Sequence, residues 1–189
     1  MKHSPNDNRK FRERSFGRQV ALQMIFQEEM NPGASAEFSD DFIHTELGRL
    51  SVQVTPTTPE SAQELEAIRE QLVNEDVDCG APISHEAYQN LVAFVWRLVR
   101  GTLSQRDEID ALITEASRNW TLERMSSTDR NVIRLAVFEM KYVGTPRPVV
   151  IHEALELGQK FGTDHSAAFI NGVLDTIGKK LAATPKSEA

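Results

Sequence analysis

The feature that most narrows what this chain can fold into is the spacing of its apolar residues, which follows the 3.6-residue turn of a helix along most of its length. From about Arg14 to Met30, Phe16, Val20 and Met24 form one ridge and Ala21 and Ile25 the next, and Asn31-Pro32-Gly33 ends the pattern. The strongest apolar segment opens at Ser84. Leu91, Val92, Val95, Trp96, Leu98 and Val99 cover much of a helix surface there, which predicts a central, well-buried element. Ser104 with Asp107 reads as a capping box before a helix through Ile109, Leu112, Ile113 and Ala116. Ser126 with Asp129 repeats the box before Ile133, Ala136, Val137 and Met140, and Gly144 and Pro146 end that helix. Two more follow: Val149 to Phe161, stopped by Gly162, then Asp164 to Leu181. Only the short Val52-Gln53-Val54 alternates like a strand, and no internal repeat is found. The fold class is all-α, with about seven helices.

The region between the first and central helices is less regular. Phe42, Ile43, Leu47 and Leu50 have helical spacing, interrupted by Gly48 and by the run from Val52 to Pro59. Thr58-Pro59 reads as a cap and first-turn proline. It opens an acidic amphipathic helix through Leu65, Ile68, Leu72 and Val73, and residues 76–82 read as a loop. These breaks divide the chain into a flexible basic arm (1–13), an N-terminal helical subdomain with an acidic insertion (14–83), a C-terminal helical subdomain (84–182) and a disordered tail (183–189).

Charge is segregated along this plan. The formal net charge is −7. Yet residues 1–20 carry Lys2, Arg9, Lys10, Arg12, Arg14 and Arg18 against only Asp7 and Glu13, while residues 28–78 carry thirteen acidic residues against Arg49 and Arg69. Such a chain can place one cationic surface on a polyanion while the rest repels non-specific contact. No apolar stretch is long enough for a transmembrane helix, and the polar N-terminus lacks a signal-peptide core. The single cysteine, Cys79, has no internal disulfide partner. The expected setting is the cytoplasm.

Motifs for chemistry are missing. There is no phosphate-binding loop, no dinucleotide fingerprint and no nucleophile turn. None of His3, His44, His85, His152 and His165 has a histidine partner at the spacing of a helical zinc site, and His152-Glu153 begins such a motif but finds Glu156 where it needs histidine. Glu153 with Glu156, or Asp107, Glu108 and Asp110, can in principle pair as acid and base, but solvated helix faces and caps are the preferred reading, because such pairs are common on any acidic helix. The chain reads as a non-enzyme, with no cofactor and no metal.

The functional signal is the run Arg9-Lys10-Phe11-Arg12-Glu13-Arg14-Ser15-Phe16-Gly17-Arg18. Its guanidinium groups offer forked donors to phosphates and base edges, and Phe11 and Phe16 offer stacking faces for unpaired bases. If the helix covers Arg14 and Arg18, the two share one face. A soluble tail is the competing reading of the run, and a core position the competing reading of Phe16.

Longer strings carry a family resemblance. Trp120-Thr-Leu-Glu-Arg-Met, then Asp129-Arg130-Asn-Val-Ile-Arg134-Leu-Ala-Val-Phe138-Glu139-Met, resembles the NusB family. So do Pro148-Val-Val-Ile-His-Glu153-Ala154-Leu-Glu156-Leu-Gly-Gln-Lys160-Phe161-Gly162 and Phe169-Ile-Asn171-Gly172-Val173-Leu174-Asp175, and Arg14 to Phe26 is similar to the family's arginine-rich opening helix. The similarity covers residues 9–30 and 84–181. Ser15 and Phe16 stand where some relatives carry further arginines, Gly17 replaces a common alanine, and His152 a usual asparagine.

The resemblance implies two helical subdomains and a role in transcription antitermination: binding boxA-type single-stranded RNA together with NusE, also a small-subunit ribosomal protein, within an RNA polymerase complex on ribosomal RNA operons. It implies RNA contacts at Arg9, Lys10, Arg12, Arg14 and Arg18, completed by Asp164, His165 and Phe169, and NusE contacts at Phe26, Glu123 and Asp129. Glu139, Asn171 and Asp175 are expected to hold helices together, Gly172 to let two helices approach, and Trp120 to anchor a linker onto the core. The alternatives are a structural helical protein that self-associates, for instance as a homodimer, and the detached RNA-binding domain of an RNA methyltransferase. The short chain beyond the last helix favours a free-standing factor.

Overall fold

The amphipathic stripes and stop signals resolve, in a computed structural model, into seven α-helices among the described residues, and no strand is found among them. The structure describes residues 5–34, 38, 40–49, 84–117 and 120–183; for 5–11, 40, 41, 48 and 49 only the backbone is described. The expectations for residues 1–4, for 50–83, including Leu50, the acidic helix and Cys79, and for the tail 184–189 lie outside the described residues.

Helix α1 spans Pro5–Met30 and is already helical through the segment read as an arm. It stops where the sequence reading places the stop: Asn31 N–H still donates to Gln27 O at 2.8 Å, and Gly33, at φ 100°, donates to the Glu28 carboxylate at 2.9 Å. Helix α2 is Asp40–Arg49. Helix α3, His85–Ser104, is capped by Ser84, whose hydroxyl accepts from Ala87 N–H at 3.2 Å. Helices α4 (Arg106–Ala116), α5 (Ser127–Phe138), α6 (Arg147–Phe161) and α7 (Ser166–Ala183) follow. A 3-10 turn at Leu122–Arg124 precedes α5, and a π-helical turn at Glu139–Val143 prolongs it.

The two capping boxes have different outcomes. Ser126 accepts from Asp129 N–H at 3.0 Å and caps α5 as expected. Ser104 caps nothing: it lies inside the last turn of α3 and donates back to Gly101 O at 3.1 Å. The chain crosses from α3 to α4 through the single residue Gln105, so no extended cap residue is needed.

The chain forms two compact units, one of residues 1–20 and 37–96, the other of residues 21–36 and 97–189. In the first, Val20, Ile43, Leu47, Tyr88, Leu91, Val92 and Val95 are buried. Gly17 lets α1 come close to α3 here: a Cβ at this position would stand 2.9 Å from Leu91 Cδ1 and 3.2 Å from Phe94 Cδ1.

In the second unit α6 packs on α7, and α5 packs on both and on α4. The residues from Asn131 to Glu139 are all buried. The most completely enclosed helix is therefore α5 rather than α3, which keeps Gln89, Asn90, Ala93, Arg97 and Arg100 at the surface. Burial of α5 includes Asn131 and Arg134, whose polarity masks it in the sequence. Gly172 corrects another expectation. A Cβ there would meet nothing within 4 Å, whereas one on Gly178 would lie 2.5 Å from Arg147 Nε, so within α7 the close neighbour is at Gly178.

Candidate nucleic-acid interface

In the first unit, the basic run occupies the N-terminal half of α1. Arg9 and Lys10 lie on helical backbone. Arg12 and Arg14 are exposed, and Arg18 is 3% exposed, packed into the protein rather than offered to solvent. Arg14 and Arg18, one turn apart, both stand over the ring of Phe94 on α3, their guanidinium carbons 5.2 and 5.4 Å from its centroid. A guanidinium held against an aromatic face keeps its edge N–H groups available for hydrogen bonds. Sequence reasoning missed Phe94. The signal was Gly17, flanked by Arg14 and Arg18, because a glycine inside a helix marks a close neighbour.

In the second unit, Asp164 and His165 sit exposed in the turn between α6 and α7, and Phe169 is half-buried on the first turns of α7. Ser166 tightens this turn, accepting from Thr163 N–H at 2.8 Å. Trp120 meets Phe169 edge to face, centroids 5.9 Å apart, which sets the linker against α7, while 51% of its surface stays exposed. Asn171 is exposed as well and does not act as a buried helix tie. Asp175 does tie two helices together, pairing on α7 with Arg147 at the start of α6, whereas Glu139 accepts from the Thr145 hydroxyl at 2.9 Å, six residues on in the loop that leads to α6.

Phe26, Glu123 and Asp129 also belong to the second unit, on three elements joined by Arg130. This guanidinium donates to Glu29 on α1 at 2.9 Å and to Leu122 O and Met125 O at 2.7 and 3.2 Å. Phe26 is 36% exposed and Met30, one turn on, 54%. The exposed Glu123 carboxyl is held below its ordinary value by its own backbone N–H and by the Thr121 hydroxyl, so it stays ionised. Asp129 Oδ1 is buried without a hydrogen-bond partner, so the reciprocal arm of the capping box does not engage this oxygen.

Behind this face lies a buried ionic network. Arg134 binds Asp110 through two bonds, Nε to Oδ1 at 2.7 Å and Nη2 to Oδ2 at 2.8 Å, and donates to Glu29 at 2.9 Å. Asn131 Nδ2 donates to the other Glu29 oxygen at 2.7 Å. Each charge has a partner, which meets the condition for keeping ions out of water. No helix among the described residues is long and apolar enough to cross a membrane.

Comparison with known proteins agrees with this architecture. The family model described as the NusB family matches residues 49–179. A protein of Myxococcus xanthus named transcription antitermination protein NusB is 38% identical over 169 residues, covering 89% of this chain and 96% of the relative. One of Solibacter usitatus with the same name is 50% identical over 88 residues, covering 47% of this chain and 60% of that one. Among solved structures, T. maritima NusB superposes with a TM-score of 0.53 at 27% identity, covering 95% of this chain and 94% of the other. With identity spread over nearly the whole chain and a family match over most of it, this chain belongs to the NusB family.

Proposed function

We propose that this protein is an RNA-binding transcription antitermination factor that takes up a boxA-type single strand together with NusE, within the RNA polymerase complex that transcribes ribosomal RNA operons. Family membership is the observation that carries the antitermination role. The RNA reading is supported in the first unit by the exposed Arg12 and Arg14, with Arg9 and Lys10 extending the run. Arg18, being buried, serves this surface as support and not as a contact. In the second unit Asp164, His165 and Phe169 offer a turn and an aromatic edge for bases. Phe26, Glu123 and Asp129 form the NusE-binding face: an exposed ring and two carboxylates suit a basic ribosomal protein.

The test is binding of a labelled boxA-type single strand across a salt series, with and without NusE. The expected result is an affinity that falls with salt and rises when NusE is present, with RNA raising the affinity for NusE by the same factor. Equal affinity with and without NusE would remove the partner, and equal affinity for a scrambled strand would remove boxA recognition. Size-exclusion chromatography alongside separates this reading from a self-associating structural protein, which would form a homodimer and leave the RNA free.

A further inference from the structure

Phe94 is an aromatic residue with two cations against its ring. Arg14 and Arg18 lie 5.2 and 5.4 Å from its centroid. They differ in what they show to water: Arg18 is 3% exposed, while Arg14 is exposed. Gly17 lies between them in sequence, and its missing side chain lets α1 close to within 3.2 Å, measured from a notional Cβ, of the Phe94 ring. An alanine would crowd Leu91 Cδ1 at 2.9 Å and the Phe94 ring at 3.2 Å, so this packing would have to give. Phe94 itself is half-buried, so its ring also borders the surface on which Arg14 emerges.

An arginine side chain loses rotamer entropy when it is fixed. A free surface arginine meets that loss on binding; one already laid on an aromatic face has met part of it in the folded protein. We propose that Phe94 is a positioning residue for RNA recognition, holding the Arg14 guanidinium at the surface in a bound-like orientation, with Arg18 packed on the same ring as an inner brace. This rests on the RNA reading of the α1 surface given above and adds to it a residue that need not touch RNA. The ring chemistry predicts its substitution pattern: tyrosine or tryptophan keeps the aromatic face, leucine or methionine keeps apolar volume without it.

The experiment is a double-mutant cycle on the full chain, read as affinity for a boxA-type single strand at several salt concentrations. Phe94→Leu is expected to weaken binding about two- to five-fold. Phe94→Tyr should bind like the parent, and Phe94→Leu added to Arg14→Ala should weaken binding little beyond Arg14→Ala alone. A purely structural role predicts lost melting temperature without coupling to Arg14. If Phe94→Leu fails to fold, Phe94→Met takes its place in the cycle. Full additivity of the two substitutions, or a Phe94→Tyr as weak as Phe94→Leu, overturns the proposal. If Arg14→Ala binds RNA unchanged, it is the RNA reading of α1 that fails.

Discussion

Glu29 Oε1 lies 2.9 Å from Arg134 Nη1, joining the last turns of α1 to the middle of α5 across 105 positions of sequence. Both side chains are nearly enclosed, at 10% and 5% exposure. Arg130 and Asn131 converge on the same carboxylate. Removing one partner from such a network strands the others, so Glu29→Ala is expected to cost about 3–5 kcal/mol of stability, against under about 1 kcal/mol for an exposed pair. Urea unfolding of Glu29→Ala beside Lys180→Ala, which removes the pair with Glu115 at the surface, measures the contrast; similar losses would mean the network is not closed to water.

The same carboxylate gives an acid limb to stability. Burial alone would raise the Glu29 carboxyl, but hydrogen bonds from Arg130, Arg134 and Asn131 outweigh it and hold it below its ordinary value of 4.5. A carboxyl lowered by folding contributes stability that is whole above the unfolded value and is lost as pH falls through the folded one. Melting temperature should therefore be level with respect to Glu29 above about pH 5 and fall below pH 4.5, with a shallower fall in Glu29→Gln. An unchanged acid slope in Glu29→Gln would assign that limb to other groups, such as the exposed Glu108 and the half-buried Asp175, also held below their ordinary values by cationic partners.

How far the sequence could be read follows from these groups. Apolar periodicity locates elements whose buried faces are apolar, and α1, α3, α4, α6 and α7 obey it. It underrates α5, where an arginine and an asparagine go inside because Glu29 and Asp110 meet them there. Those partners lie far away in sequence, and no local window contains them. The capping box was legible at Ser126, where no α-helix runs straight into the next, and misleading at Ser104, where one does. Within the basic run Arg12 and Arg14 are exposed, but Arg18 is buried beside Phe94, which only the folded chain brings near. Trp120 lays the linker against Phe169 of α7, in keeping with the anchor read from the sequence, yet half of it faces solvent.

Gly172 and Gly178, both in α7, should respond in opposite directions. Alanine at Gly172 would meet nothing within 4 Å, so the usual gain of about 0.5–1 kcal/mol over glycine in a helix should appear. Alanine at Gly178 would stand 2.5 Å from Arg147 Nε and disturb its pairing with Asp175, so stability should fall. Thermal melts of the two single variants check the signs; a Gly172→Ala loss would mean that its surroundings are closer than the structure places them.

The two arginines over Phe94 should also separate. Arg14→Ala is expected to lower RNA affinity and reduce the salt slope by about one, with little change in melting temperature, because its guanidinium is exposed. Arg18→Ala should lower melting temperature first, because it empties a buried place. Salt-series binding beside thermal melts distinguishes them, and an Arg18→Ala protein as stable as the parent but weaker on RNA would reverse the assignment.

The partner face carries the last expectation. Glu123 is exposed on the 3-10 turn, and its carboxyl is held chiefly by its own N–H and Thr121, with a smaller attraction from Arg130, so charge reversal there breaks no helix cap. Ser126 supports the neighbouring α5 through its 3.0 Å bond from Asp129 N–H, and Ser126→Ala should cost about 1 kcal/mol. If this face receives a basic ribosomal protein, Glu123→Lys should melt like the parent, lose NusE binding, and keep its unaided affinity for RNA. Ser126→Ala should show the reverse, with lower stability and NusE still bound. Asp129→Asn keeps the backbone bond to Ser126 while removing a charge, so it should weaken NusE binding without the stability loss of Ser126→Ala. NusE titrations of the three variants, each beside its melting curve, decide the matter: normal binding by both Glu123→Lys and Asp129→Asn would move the partner surface elsewhere on the protein while leaving its family membership untouched.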